Sequence, residues 1–79
     1  MENVQPEKRF QAGAISATVW KNTQQKDGKE FDFFSVSLQR SYKDQAGAWK
    51  HTTSLRSNDV PKAKLVLDKA WEFLELKPA

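Results

Sequence analysis

The chain has 79 residues, 38% hydrophobic and 29% charged, with thirteen Lys plus Arg against ten Asp plus Glu and a formal net charge of +3. That length holds one small domain. The absence of cysteine and the single histidine, His51, exclude a disulfide scaffold and a Cys/His zinc site, and leave histidine-dependent catalysis one candidate residue.

Residues 1–7 are polar, include Pro6, and read as a flexible N-terminus ahead of a single domain over 8–77. They lack the basic-then-apolar order of a secretion signal. Lys8–Ala12 forms a short strand, and Gly13 marks a bend. Ile15–Asn22 alternates with period two, with Ile15, Ala17 and Val19 on one face and Ser16, Thr18 and Trp20 on the other. A slip of one residue would turn Lys21 outward instead of Trp20. Asn22–Glu30 is polar and carries the turn signal Asp27-Gly28. Phe31–Tyr42 is a strand with Phe34, Val36 and Leu38 on one face and Phe33, Ser35, Ser37 and Gln39 on the other. Asp44–Gly47 is a second turn, and Trp49–Arg56 returns as a strand. The period then changes. Ala63, Val66, Leu67, Ala70, Trp71, Phe73 and Leu74 recur at three- and four-residue spacing, which predicts a helix over about 59–76. Asn58 or Asp59 caps it, Pro61 lies in its first turn and Pro78 lies past its end.

The expected fold is therefore α+β: a small curved antiparallel sheet of three to four strands, then one C-terminal amphipathic helix. No apolar run approaches the roughly 20 residues of a membrane-spanning helix. Nine aromatic residues, three of them Trp, are too many for a disordered segment. A core this small, without disulfide or metal, usually needs a second subunit. The apolar stripe is also wider than one small sheet covers. A homodimer through Leu67, Trp71, Phe73 and Leu74 of the helix is the expected assembly.

Charge and aromatics point to the sheet as the working surface. Residues 1–57 carry all of the excess positive charge, and between Phe33 and Ser57 stand Arg40, Lys43, Lys50 and Arg56 against Asp44 alone. The outer sheet face is read as Trp20 and Phe33 among Ser16, Thr18, Ser35, Ser37, Gln39, Thr52 and Ser54. Rings among hydroxyls, flanked by Lys and Arg, suit single-stranded nucleic acid. Bases stack on rings for about 1–3 kcal/mol each, and cations hold phosphates. The structural alternatives stand beside this. Trp20 would equally serve packing, Trp49 would brace its turn, and His51 reads as a surface residue.

Phe10-Gln11-Ala12-Gly13, the basic turn Lys26-Asp27-Gly28-Lys29, the run Tyr42–Lys50, and Ser54-Leu55 with Asn58 and a proline before the helix recur in one known arrangement. From about Lys8 to Leu74 the chain resembles the positive-cofactor-four family of transcriptional coactivators, with Whirly-like binders as more distant relatives. The resemblance implies four antiparallel strands and a helix, dimerisation through the helices, and single-stranded DNA binding with little sequence preference. Carried over by position, it makes Tyr42 a base-stacking aromatic, Lys50 a phosphate-binding lysine and Lys21 a nearby basic residue.

Together these readings make Trp20, Lys21, Phe33, Arg40, Tyr42, Lys50, Thr52 and Arg56 the expected binding residues. The expected partner is single-stranded DNA or RNA, with a role in transcription, replication or repair. No catalytic residue, metal, cofactor, membrane or small-molecule substrate is expected, and the expected location is the cytoplasm and nucleoid, or the nucleus of a eukaryote. The alternative is a protein-interaction module that adds a partner strand to a sheet edge. An enzyme is disfavoured, since no acid–base pair or phosphate loop is placed by any motif.

Overall fold

The computed structural model describes residues 3–76. Four strands, β1 (Asn3–Ala12), β2 (Ile15–Lys26), β3 (Lys29–Lys43) and β4 (Trp49–Thr52), form one antiparallel meander in the order β1-β2-β3-β4. A 3-10 turn at Ser57–Asp59 leads into the helix α1 (Val60–Glu75). The α+β reading, the strand count and the C-terminal helix are all present. Pro78 lies outside the described residues.

The strand boundaries differ from the sequence reading in three places. β1 begins at Asn3 and not at Lys8. Asn3, Val4, Gln5 and Pro6 pair with Thr23, Asn22, Lys21 and Trp20, and a register shift between Pro6 and Lys8 resets the ladder. The polar segment 22–30 is not a loop. β2 and β3 stay paired down to Lys26↔Lys29, and Asp27-Gly28 alone turns the chain. Both turn residues have positive φ, 54° and 75°, as a two-residue type I′ turn requires. This arm has water on both faces, so its strands carry no apolar alternation and their period is invisible in the sequence. Its pairing is held by Thr23 Oγ1 donating to Asp32 at 2.9 Å and by the Lys21–Asp32 ion pair at 3.7 Å. Finally, β4 stops at Thr52. The Thr52 hydroxyl accepts the Ser54 backbone N–H at 3.1 Å and bends the chain toward the helix, so residues 53–56 are not strand.

Gly28 sits in left-handed backbone with nothing within 4 Å of an added Cβ. Gly28→Ala is therefore expected to destabilise the fold through backbone strain alone, by about 1 kcal/mol, read as a lowered urea midpoint with unchanged m-value.

The core lies where α1 crosses β1 and β2. Ile15, Ala17 and Val19 meet Ala63, Val66 and Ala70, all at most 5% exposed, with Phe10, Ala12, Leu38, Leu55 and Leu74 around them. The three helix residues fall at i, i+3 and i+7, one stripe of an α-helix, and two of them are Ala, which brings the helix close to the sheet. The rest of the sheet projects beyond this core. The radius of gyration is 15.3 Å, against about 12 Å for a compact chain of this length.

Candidate nucleic-acid interface

Residues opposite one another in an antiparallel ladder share a face, and successive residues alternate. The register therefore sorts the sheet into a side under the helix and an open side. Trp20 pairs with Ser35 and lies on the open side, while Lys21 pairs with Phe34 on the helix side. The strand parity read from the alternation of Ile15–Asn22 is the one observed.

The residues expected to bind do not share one surface. Trp20 and Phe33 are on the open face. Lys21, Arg40, Tyr42, Lys50 and Thr52 are on the helix side, and Arg56 follows in the loop before the 3-10 turn. Thr52 was expected outward. Its pairing with Arg40, itself opposite Ile15, puts it on the other face.

Each of these helix-side groups has a local partner. Lys21 pairs with Asp32. Arg40 donates from Nε to the Ser54 carbonyl at 3.1 Å and lies 3.7 Å from Asp59, tying β3 to the start of the helix. Its guanidinium also covers the Tyr42 ring at 5.4 Å. Asp59 accepts the Arg56 backbone N–H at 3.0 Å, closing the 3-10 turn.

The run Tyr42–Lys50 has a plain structural account. Asp44 Oδ1 accepts the N–H groups of Ala46 and Ala48, both at 2.9 Å, and Gly47 takes φ 84°. Lys50 lies 3.6 Å from the other Asp44 oxygen. Aspartate, glycine and lysine at these spacings build a tight turn and neutralise it.

The open face is chemically different. Among its paired residues the charged side chains are Arg9, Lys26, Lys29 and Lys43, with His51 beside them, and none is a carboxylate. The acidic residues of the ladders, Glu30 and Asp32, fall on the helix side. Lys26 and Lys29 stand directly opposite each other, a like-charge pair that opposes strand pairing and that an anion would relieve. Four aromatic rings share this face: Trp20, Phe31, Phe33 and Trp49, the last three 51%, 47% and 66% exposed. Lys43 Nζ sits 5.3 Å from the centre of the Trp49 ring. Most of the remaining positions are Ser, Thr, Asn or Gln.

Arg9, Lys26, Lys29 and His51 were not among the expected binding residues, and neither were Lys43 and Trp49. Arg9 pairs with Thr18 in a ladder that runs unbroken from Ala12↔Ile15, so its face is fixed by the pairing of β1 with β2 and not by any motif of β1 alone. Lys26 and Lys29 lie in the arm that reads as loop.

Within the open face, Pro6, Arg9, Thr18, Trp20, Gln39 and His51 line a shallow hollow of about 360 Å³. Trp20 Nε1 donates to Ser37 Oγ at 2.8 Å, which holds the indole in place. Ser41 Oγ lies 3.1 Å from His51 Nδ1, which leaves the other ring nitrogen free of that contact. No helix among the described residues is long and apolar enough to cross a membrane. No family model, no curated protein and no solved structure matches this chain.

Proposed function

We propose that the protein binds single-stranded nucleic acid across the open face of its sheet, as a homodimer joined on the helix side. One observation carries the reading: the open ladders bear four cations, four aromatic rings and no carboxylate, while on the helix side Lys21, Arg40 and Lys50 are each paired with an acid and Lys8 lies over the Phe10 ring. Unpaired cations attract phosphates, and exposed rings stack on bases that a duplex would hide. The resemblance to the positive-cofactor-four family implies the same ligand. Titrating tryptophan fluorescence with single-stranded and duplex oligonucleotides of equal length tests it. Single strands are expected to bind more tightly, with a log–log salt slope near −3 if about four phosphates are neutralised. A flat salt response, or equal binding of duplex, would refute the reading.

The dimer rests on the unpartnered apolar surface. Phe73 meets the Phe10 ring of β1 at 6.3 Å, and Leu74 packs against the core. Leu67 and Trp71 are 40% and 62% exposed on the side of the helix away from Phe73. Phe34 and Val36 are also exposed, on the helix side of the sheet. These unpartnered apolar side chains are suited to a twofold partner. Sedimentation equilibrium is expected to give twice 9.1 kDa, and Trp71→Asp to return the mass to that of one chain.

A second reading has its own observation. β4 covers only Arg40–Lys43, so Lys29–Gln39 of β3 is an open strand edge. Such an edge accepts a partner strand. On this reading a proline at an edge-facing amide of β3 abolishes partner capture, and charge changes on the open face have no effect.

A further inference from the structure

The open face is not an even track. Its hollow joins an aromatic wall, a cation and convergent polar groups at one place, and no acidic side chain lines it. Resting on the reading of this face as a single-strand binder, we propose that the hollow is a seat for one purine nucleotide, with the base against Trp20 and the phosphate toward Arg9, and that adenine is preferred. The protein then binds strands in a register set by their adenines and is not indifferent to sequence.

Four properties of the hollow point there. Its volume, about 360 Å³, lies at the small end of ligand sites, which run from about 300 to 1,000 Å³; that is room for one nucleotide and not for a folded segment. The indole N–H of Trp20 is already engaged by Ser37, so Trp20 offers a fixed ring for stacking and no donor of its own. A ring held before binding loses little freedom when a base arrives. Arg9 is the hollow's one permanently charged side chain, so an anion is favoured at its rim and an amine is excluded. Gln39 presents an amide oxygen and an amide NH2 side by side, the pattern that matches N6–H and N7 of adenine. Neither Gln39 nor Thr18 makes a side-chain hydrogen bond to another described residue. Both have polar atoms available to a base edge.

The test has two arms on the intact protein. In the first, an oligothymidylate and the same oligonucleotide with one central deoxyadenosine are titrated by fluorescence anisotropy. The adenine-bearing strand is expected to bind about tenfold more tightly, within what one bidentate amide–adenine pair discriminates. Gln39→Ala is expected to bring the two strands to the same affinity. Gln39 is exposed, so this change does not open the core. In the second arm, adenosine monophosphate is titrated against isotopically labelled protein. The Trp20 indole N–H and Gln39 side-chain amide resonances are expected to shift together, and less with thymidine monophosphate. Strands that bind equally well, with no resonance shift from the mononucleotide, overturn the seat and leave the single-strand reading standing. A mononucleotide that shifts both resonances when neither strand binds supports the seat and overturns the strand reading.

Discussion

Trp20→Ala is expected to weaken single-strand binding by about 1–3 kcal/mol, roughly 5- to 150-fold, and to leave the salt slope almost unchanged. The slope is preserved because stacking releases no counterion. Arg9→Ala is expected to fail differently. Affinity falls and the slope becomes shallower by about 0.7, the share of one phosphate on a single strand. On the other side of the sheet, Lys50→Ala removes a partner of Asp44 from an exposed pair, and both affinity and slope are expected to hold. Tyr42→Ala is expected to spare binding as well, since its ring lies under Arg40 on the helix side. Trp20 also donates to Ser37, so Trp20→Phe separates its two roles: it keeps a ring for stacking and loses the hydrogen bond. If Lys50→Ala and Tyr42→Ala weaken binding while Arg9→Ala and Trp20→Ala do not, the strand runs on the helix side and the assignment of faces is wrong.

Ile15→Ala is expected to unfold much of the population at low protein concentration. Ile15 is fully buried at the point where β2 meets the helix, and it is one of the two largest fully buried side chains. Truncating a buried Ile to Ala removes about 2–5 kcal/mol, the spread depending on how far the site collapses. Its surroundings include Ala17, Ala63 and Ala70, which have no side-chain length with which to fill the gap. A single core in a chain this size supplies rarely more than about 3–5 kcal/mol, so one substitution takes most of it. Urea denaturation followed by circular dichroism measures the loss. If the helix-side dimer forms, the midpoint of the variant rises with protein concentration, because association draws on the folded state alone. An unchanged midpoint in Ile15→Ala would mean that stability resides elsewhere, in the subunit interface.

The element types were legible in the residues, for a local reason. Alternation in Ile15–Asn22 and Phe31–Tyr42, helical spacing from Ala63 to Leu74, and the turn signals Asp27-Gly28 and Asp44–Gly47 each depend on a neighbourhood of a few residues. Burial on one side imposes the period, so half-buried segments announce themselves. The outward direction of Trp20 and Phe33 follows from the same alternation. The arm built from residues 22–26 and 29–30 was not legible as strand, because both its faces are wet and nothing selects apolar residues at every second position.

The composition of the binding face needed the tertiary structure. Which strand positions lie opposite one another depends on the bulge in β1 and on where β4 joins β3, and neither is written in any short motif. A count along the chain puts Arg40, Lys43, Lys50 and Arg56 together as one basic segment. In the folded sheet Lys43 lies on the open face, Arg40 and Lys50 lie on the helix side of the sheet beside carboxylates, and Arg56 lies in a loop. Arg9, distant in sequence from that segment, is brought beside Thr18 and next to Trp20. Sequence order carries the sum of the charges and the alternation of each strand. Pairing between strands fixes which charges face the same solvent, because a side chain's face depends on register, and register is a relation between segments far apart in the chain.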